Sequence, residues 1–376
     1  MKALLLSPEL FLADGGIARI MRLYLKALCE LCGPAGRVDS LVLNDPPGRD
    51  ARLTRYANER LGEHLGCAGR KLRFITQAIR LARGADILVC GHLHHLAIAR
   101  LAKVFNPRLD YYLVAHGIEV WRPYSGLERR ALLGARRILC VSEYTRRQLL
   151  RFHPGLPPER LVVVPNTLDP FFALAASGAP IAVPFAGPRI LTVSRLTQAD
   201  SYKGVDTLIE ALPQVRRGYP MARLRIVGQG DDVPRLTQLA AGLGVAGAVD
   251  FTGAIDDEAL RTEYATCDLF ALPSRREGFG LVYLEAMTFG KACLGARAGG
   301  APEVINDAVG ALVEYSMFPT WPPPSPAWCA SRVIRRLCAV TPPPLLFPPS
   351  SSASPPPCND PIRTKLPPAN HANPRE

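Results

Sequence analysis

Glu277 and Glu285 sit eight residues apart in the stretch EGFGLVYLEA, around Gly278, Phe279 and Gly280. Carboxylates so placed could be a hydrolytic acid and base, ligands of a metal, or two grips on one extended ligand. Eight residues of helix rise about 12 Å. Glycosidase carboxylates stand about 5–5.5 Å apart in retaining enzymes and about 6.5–9.5 Å apart in inverting ones. The spacing disfavours the hydrolytic pair and suits a ligand held at both ends. Gly278 and Gly280 bracket a turn after the apolar run DLFALPS. A helix expected from about Phe279 to Phe289 would point its free N–H groups and positive dipole end at that turn. Upstream, in SRLTQADSYKG, Arg195 follows one apolar run and Lys203 precedes a helical one. Two cations there can converge on a diphosphate, although a pair of solvated surface cations would read the same way. Downstream, GARAGGAPEVI adds Gly299 and Gly300 after a further strand.

The other half of the chain holds fewer such residues. Gly15 and Gly16, in DGGIARI, follow the first strand and open a helix, where a backbone free of side chains lets an anion approach the N–H groups. A plain strand-to-helix turn explains the pair equally well. The pattern is not G-x-G-x-x-G, which argues against a nicotinamide-dependent oxidoreductase. His116, in AHGIEVWR, closes another apolar run and by itself reads as a loop histidine.

Two constellations suggest metals without requiring them. Cys29 and Cys32 form a C-x-x-C inside the apolar helical pattern IARIMRLYLKALCELCG, and no second pair at zinc spacing follows, so they read as buried helical thiols. His92, His94 and His95, in GHLHH, read as the loop after the strand DILVCG. No metal is assigned, and no cofactor is called for.

The elements that must position these residues alternate along the chain. KALLLS, VDSLVLN, DILVCG, YYLVAHG, RILCVS and LVVVPN in the first half are separated by helix-length stretches, and RILTVSRL, RLRIVGQG, AVDFTG, DLFALPS and KACLGAR repeat the rhythm. Continuous apolar strands alternating with helices imply parallel sheets covered on both faces. The expected fold class is α/β, with two Rossmann-like, doubly wound domains facing across a cleft. Their expected bounds are residues 1–170 and 189–313. The Ala-, Gly- and Pro-rich segment 171–188 reads as a linker. From Glu314 on, 17 of 63 residues are proline, so residues 314–376 are expected to form a disordered tail that leaves the second domain's C-terminal part incomplete. An out-of-frame reading would also produce so abrupt a change.

The formal charge of +12 lies almost wholly in residues 1–170, which carry 26 Lys and Arg against 15 Asp and Glu. Residues 171–313 carry 13 against 15. A basic half can be a solvated surface or can face acidic lipid headgroups; without aromatic interleaving it offers no nucleic-acid signature. No apolar run approaches the ~20 residues of a membrane span, and MKALLLSPELFLA is broken by Ser7, Pro8 and Glu9, so the chain reads as cytoplasmic and, at most, peripheral on the inner face of a membrane.

Taken in order, the glycine pair near the N-terminus, R…YKG, EGFGLVYLE and AGGAPEVI resemble family 4 of the retaining glycosyltransferases, which have the GT-B fold, and the resemblance runs from residue 1 to about 313. It implies transfer of a sugar from a nucleotide donor, UDP- or GDP-linked, with retention of anomeric configuration and without a catalytic metal; a D-x-D sequence is absent from the chain. By position, Glu277 would bond a hydroxyl of the donor sugar, Gly278, Phe279, Gly280 and Leu281 would line the sugar and phosphates, and Glu285 would hold the ribose. Arg195 and Lys203 would stabilise the departing diphosphate, with Gly15, Gly16, Gly299 and Gly300 close by and His116 beside the sugar. The expected partners are a nucleotide-sugar donor, a glycan or lipid-linked acceptor of the cell envelope and an anionic membrane surface, with no nucleic acid. The departure from the family's C-terminal helices leaves a second reading, a donor-binding protein impaired in catalysis with the tail as an interaction segment.

Overall fold

The structure is a computed structural model and describes residues 1–170, 172 and 187–314. Nearly all of the expected linker and all but the first residue of the expected tail lie outside the described residues.

The first half runs β1 (Lys2–Ser7), α1 (Gly16–Leu31), β2 (Arg37–Val42), β3 (Leu61–Gly66), α2 (Lys71–Ala82), β4 (Ile87–Cys90), α3 (Leu96–Phe105), β5 (Asp110–Ala115), α4 (Gly126–Leu133), β6 (Arg137–Cys140), α5 (Glu143–Phe152) and β7 (Leu161–Val163). The second runs β8 (Arg189–Val193), α6 (Val205–Gly218), β9 (Arg223–Val227), α7 (Val233–Gly242), β10 (Val249–Gly253), α8 (Asp257–Thr266), β11 (Leu269–Leu272), α9 (Leu281–Thr288), β12 (Ala292–Ala296), α10 (Ala301–Val304) and β13 (Gly310–Val313). The strands form one sheet ordered β3-β2-β1-β4-β5-β6-β7 and another ordered β10-β9-β8-β11-β12-β13, with parallel pairing throughout. Both have the doubly wound order, which reverses direction between β1 and β4 and between β8 and β11.

The apolar strands are continuous because both sheet faces are covered. In β1, Leu4 and Leu6 pack with α2 and α3 residues such as Phe74 and Leu96, while Ala3 and Leu5 pack with Met21 and Leu25 of α1. In β11, Leu269 and Ala271 join the core under α6, and Phe270 and Leu272 join the one containing Tyr264 and Tyr283. Alternate side chains of one strand thus feed two cores.

The structure adds β3, LGEHLG, and β13, GALV, to the expected strands. Neither has a buried apolar run: both are edge strands with partly exposed residues, and β3 lacks β-branched residues altogether. The helix after the glycine turn starts at Leu281, two residues later than expected, with Gly280 as its N-cap at φ +98°. Cys29 and Cys32 are free, buried thiols at the end of α1. His92 N-caps the 3-10 turn after β4 that carries His94 and His95. Among the described residues, no group of three or more His, Cys, Asp or Glu is placed to hold a metal ion, and no helix is long and apolar enough to cross a membrane.

Candidate functional site

In a doubly wound sheet the strand ends flanking the reversal leave a crevice. Here the ends of β1 and β4 carry Gly15–Gly16 and Gly91, and those of β8 and β11 carry Arg195 and the Glu277 loop. The two crevices meet. Gly16 lies 3.5 Å from Leu281 Cδ1, measured from where its Cβ would stand. At Gly278 an added Cβ would come within 2.1 Å of the His116 carbonyl oxygen, so main chain of one domain touches main chain of the other.

Glu277 and Lys203 form one unit, with Nζ 2.7 Å from Oε2 and both side chains more than four-fifths buried. The pair is fixed from behind. Gly300 N donates to the Glu277 carbonyl at 2.7 Å, and a Cβ on Gly299 would strike the Glu277 main chain at 2.5 Å, so the second glycine pair is a bed for this loop. Phe279 is buried within it.

Arg195 and Lys203 are not brought onto a common point by protein contacts. The Arg195 side chain is 73% exposed and bonds Asp200 at 3.0 Å. Asp200 also accepts from the hydroxyls of Thr197 and Tyr202, so the loop between the cations is organised around a carboxylate that the sequence reading left out. Arg195 also lowers the pKa of Glu9 on the first domain, although burial and the neighbouring Asp45 hold that carboxyl above its ordinary value.

Glu285 projects from α9 into a buried position, 5% exposed. Its Oε2 accepts from the Tyr264 hydroxyl at 2.8 Å, and its Oε1 stands 3.9 Å from Arg19 of α1. Burial raises its pKa; the Arg19 guanidinium opposes the rise. Arg19 in turn pairs with Asp257 at the start of α8 and lies over the Phe172 ring at 5.3 Å. Arg19, Asp257 and Tyr264 were missed in the sequence. The available signal was two arginines, Arg19 and Arg22, three residues apart in the first half of a helix whose pattern is otherwise largely apolar. Arg22 is buried too, bonded to Asp14 and packed over Phe11 and Tyr56.

His116 caps the end of β5. Its Nε2 lies 3.0 Å from the Gly91 carbonyl oxygen; a carbonyl only accepts, so Nε2 carries the proton and Nδ1 a lone pair. Burial pushes its pKa down to about 4, which keeps the ring neutral at pH 7. Glu119 accepts from the N–H groups of His116 and Gly117 at 2.6 and 3.1 Å and so holds the turn, in which Gly117 has φ +149°. Gly15 N-caps α1 in extended conformation, and an added Cβ would meet nothing nearer than Glu9 Oε1 at 3.9 Å. Packing within the protein therefore does not require glycine there.

Two doubly wound parallel-sheet domains whose strand-reversal crevices face each other form the GT-B architecture. Residues 15–171 match the model of Glycosyltransferase Family 4, and residues 184–316 that of Glycosyl transferases group 1. The chain belongs to this group 1/family 4 glycosyltransferase family. It is 31% identical over 282 residues to the GDP-mannose-dependent alpha-(1-6)-phosphatidylinositol monomannoside mannosyltransferase of Mycobacterium tuberculosis, covering 72% of this chain and 67% of that protein. A protein of the same description from Mycolicibacterium smegmatis is 42% identical over 127 residues, 32% of each chain. Among solved structures, Anabaena HepE in complex with UDP superposes with a TM-score of 0.66 at 21% identity, over 90% of this chain and 94% of that one. WaaG, a glycosyltransferase involved in lipopolysaccharide biosynthesis, superposes at 0.61 and 20% identity, over 91% and 96%. The two-domain architecture expected from the sequence is borne out.

Proposed function

We propose that the chain transfers a hexosyl group from a GDP- or UDP-sugar to a lipid-linked or glycan acceptor of the cell envelope, with retention of configuration. The observation that carries this reading is the buried Glu277–Lys203 pair, whose carboxylate stands on the glycine loop after β11 beside the Gly278 contact with the His116 main chain. In this reading Glu277 takes a sugar hydroxyl, Lys203 and Arg195 take the diphosphate, and Glu285 takes the ribose. Gly15 and Gly16 leave the N-terminus of α1 clear for the phosphates, which gives a reason for glycine where packing supplies none. The acceptor oxygen attacks C1 on the face from which the diphosphate leaves. As the C1–O bond to phosphate breaks and the new C1–O bond forms, the acceptor's proton passes to a phosphate oxygen. The cations act on the negative charge that grows on the leaving group, where electrostatic help counts most. Neutral His116, with its turn held by Glu119, shapes the sugar side.

The mannosyltransferase relatives favour GDP-mannose and a glycolipid acceptor. A membrane-held acceptor also fits the basic first domain. There α2, α3 and α4 pack side by side and expose Leu72, Val104, Phe105 and Leu127 among arginines and lysines. The test is a panel of nucleotide-sugars assayed for thermal stabilisation and for sugar transfer to a lipid extract. A GDP- or UDP-sugar should raise the melting temperature and be consumed only with acceptor present. Stabilisation by neither nucleotide class would overturn the reading.

A further inference from the structure

The start of α5, in the first domain, is held by the two segments of the second domain that carry Glu277. Ser142 is fully buried; it N-caps α5 by accepting from Thr145 N at 3.0 Å, and its hydroxyl lies 2.7 Å from the Gly278 carbonyl. The next two amides, Glu143 N and Tyr144 N, donate to the two carboxylate oxygens of Glu303 at 2.8 and 2.7 Å. Glu303 belongs to α10, which begins directly after Gly299–Gly300, the bed of the Glu277 peptide. A carboxylate at a helix N-terminus satisfies free N–H groups and opposes the dipole. Here the helix and its capping carboxylate belong to different domains.

We infer that Ser142 and Glu303 are positioning residues for the transfer reaction. Closing the domains docks the α5 terminus onto Gly278 and Glu303 together, and this sets the Glu277 loop in register with the His116 turn. The inference rests on the proposed role of Glu277 but concerns a different step, the approach of the domains. Their side chains are taken up by contacts between the domains, so their loss slows turnover and leaves nucleotide binding to the second domain unchanged.

The experiment uses the full chain with Ser142→Ala, Glu303→Ala, Glu303→Gln and the double alanine variant. GDP-mannose and UDP-glucose serve as donors, GDP and UDP as binding probes, and small-angle scattering reports the separation of the domains. Charge-assisted and neutral hydrogen bonds of these kinds predict a fall in kcat of about tenfold for each alanine variant, with donor KM within about twofold. Glu303→Gln, which keeps one acceptor oxygen, should recover part of the loss, and the double variant should lose less than the product of the singles because both contacts hold one helix end. The radius of gyration should increase in the alanine variants. Wild-type kcat in both alanine variants, or a loss wholly in donor KM, would overturn the inference. If neither GDP nor UDP bound the wild-type chain, the proposed function would be at fault. Scattering would then decide alone: expansion on Glu303→Ala and Ser142→Ala supports the docking role, and an unchanged profile refutes it.

Discussion

Replacing Glu285 separates its packing between the domains from its proposed role at the ribose. Its Oε2 satisfies the Tyr264 hydroxyl, which is buried, and its Oε1 faces Arg19 from the other domain. Glu285→Ala strands the hydroxyl, at about 1–3 kcal/mol. It also removes one of the two carboxylates facing Arg19; because Asp257 remains and the Glu285 contact is 3.9 Å long, the cost stays below the about 3–5 kcal/mol of a fully broken buried pair. A total of about 2–4 kcal/mol lowers Tm by roughly 3–6 °C for a chain of this size. Glu285→Gln keeps an oxygen for Tyr264 and should cost less than about half of that. Both variants lose a charged acceptor for the ribose hydroxyls, a loss of about 1.5–3 kcal/mol, so the Kd for GDP or UDP should rise about tenfold to a hundredfold. Scanning calorimetry and titration calorimetry on the same samples read the two effects. If Glu285→Gln binds both nucleotides as tightly as wild type, the carboxylate is an interdomain strut and the ribose assignment is wrong.

Glu277→Ala should cut kcat by at least about a hundredfold and also lower Tm by a few degrees, because it leaves the buried Lys203 ammonium without its partner; wild-type transfer kinetics would remove it from the reaction. Lys203→Ala should lower kcat more than it raises KM, and exposed Arg195→Ala should do so less strongly; pure KM effects would make both ground-state binders. Stability should fall with acid through the histidines. Burial lowers the pKa of His92 and His116 to about 4 and of His95 to about 3, so between their ordinary 6.5 and those values the unfolded chain takes up protons that the folded one refuses. Tm should therefore drop between pH 7 and pH 5 and recover in part in His95→Gln; a flat profile refutes the burial argument. Sedimentation with liposomes should show binding that grows with anionic lipid and fades with salt, and weakens in Phe105→Ser; equal binding to neutral vesicles would exclude charge-driven docking.

The parts of this molecule legible in its sequence are those fixed by local pattern. The cores of runs such as KALLLS and DLFALPS are continuously apolar because helices cover both faces of each sheet, and the glycine turns follow their ends. Glu277, Arg195 and His116 could be nominated because each sits just past such a run, and Lys203 because it stands just before a helical stretch. Arg19, Ser142, Asp257 and Glu303 could not, since their partners lie more than a hundred residues away and meet only when the domains dock. The edge strand LGEHLG escaped for a different reason: with one neighbour and partial exposure it needs no apolar run. Asp200 was hidden by its neighbours, because a carboxylate between two cations looks like ordinary surface charge until Thr197 and Tyr202 are seen to converge on it.

The backbone-to-backbone contact at Gly278 makes that residue a natural place for a doorstop. A single methyl group in Gly278→Ala would have to stand where the His116 carbonyl now is, 2.1 Å away, and ordinary contact would need the two main chains to part by roughly 1 Å or more. The same methyl would leave the Glu277 carboxylate and Lys203 in place. Such a variant would hold the molecule ajar: able to load a nucleotide from solution, unable to seal it from water, and so a means of arresting the cycle between capture and chemistry.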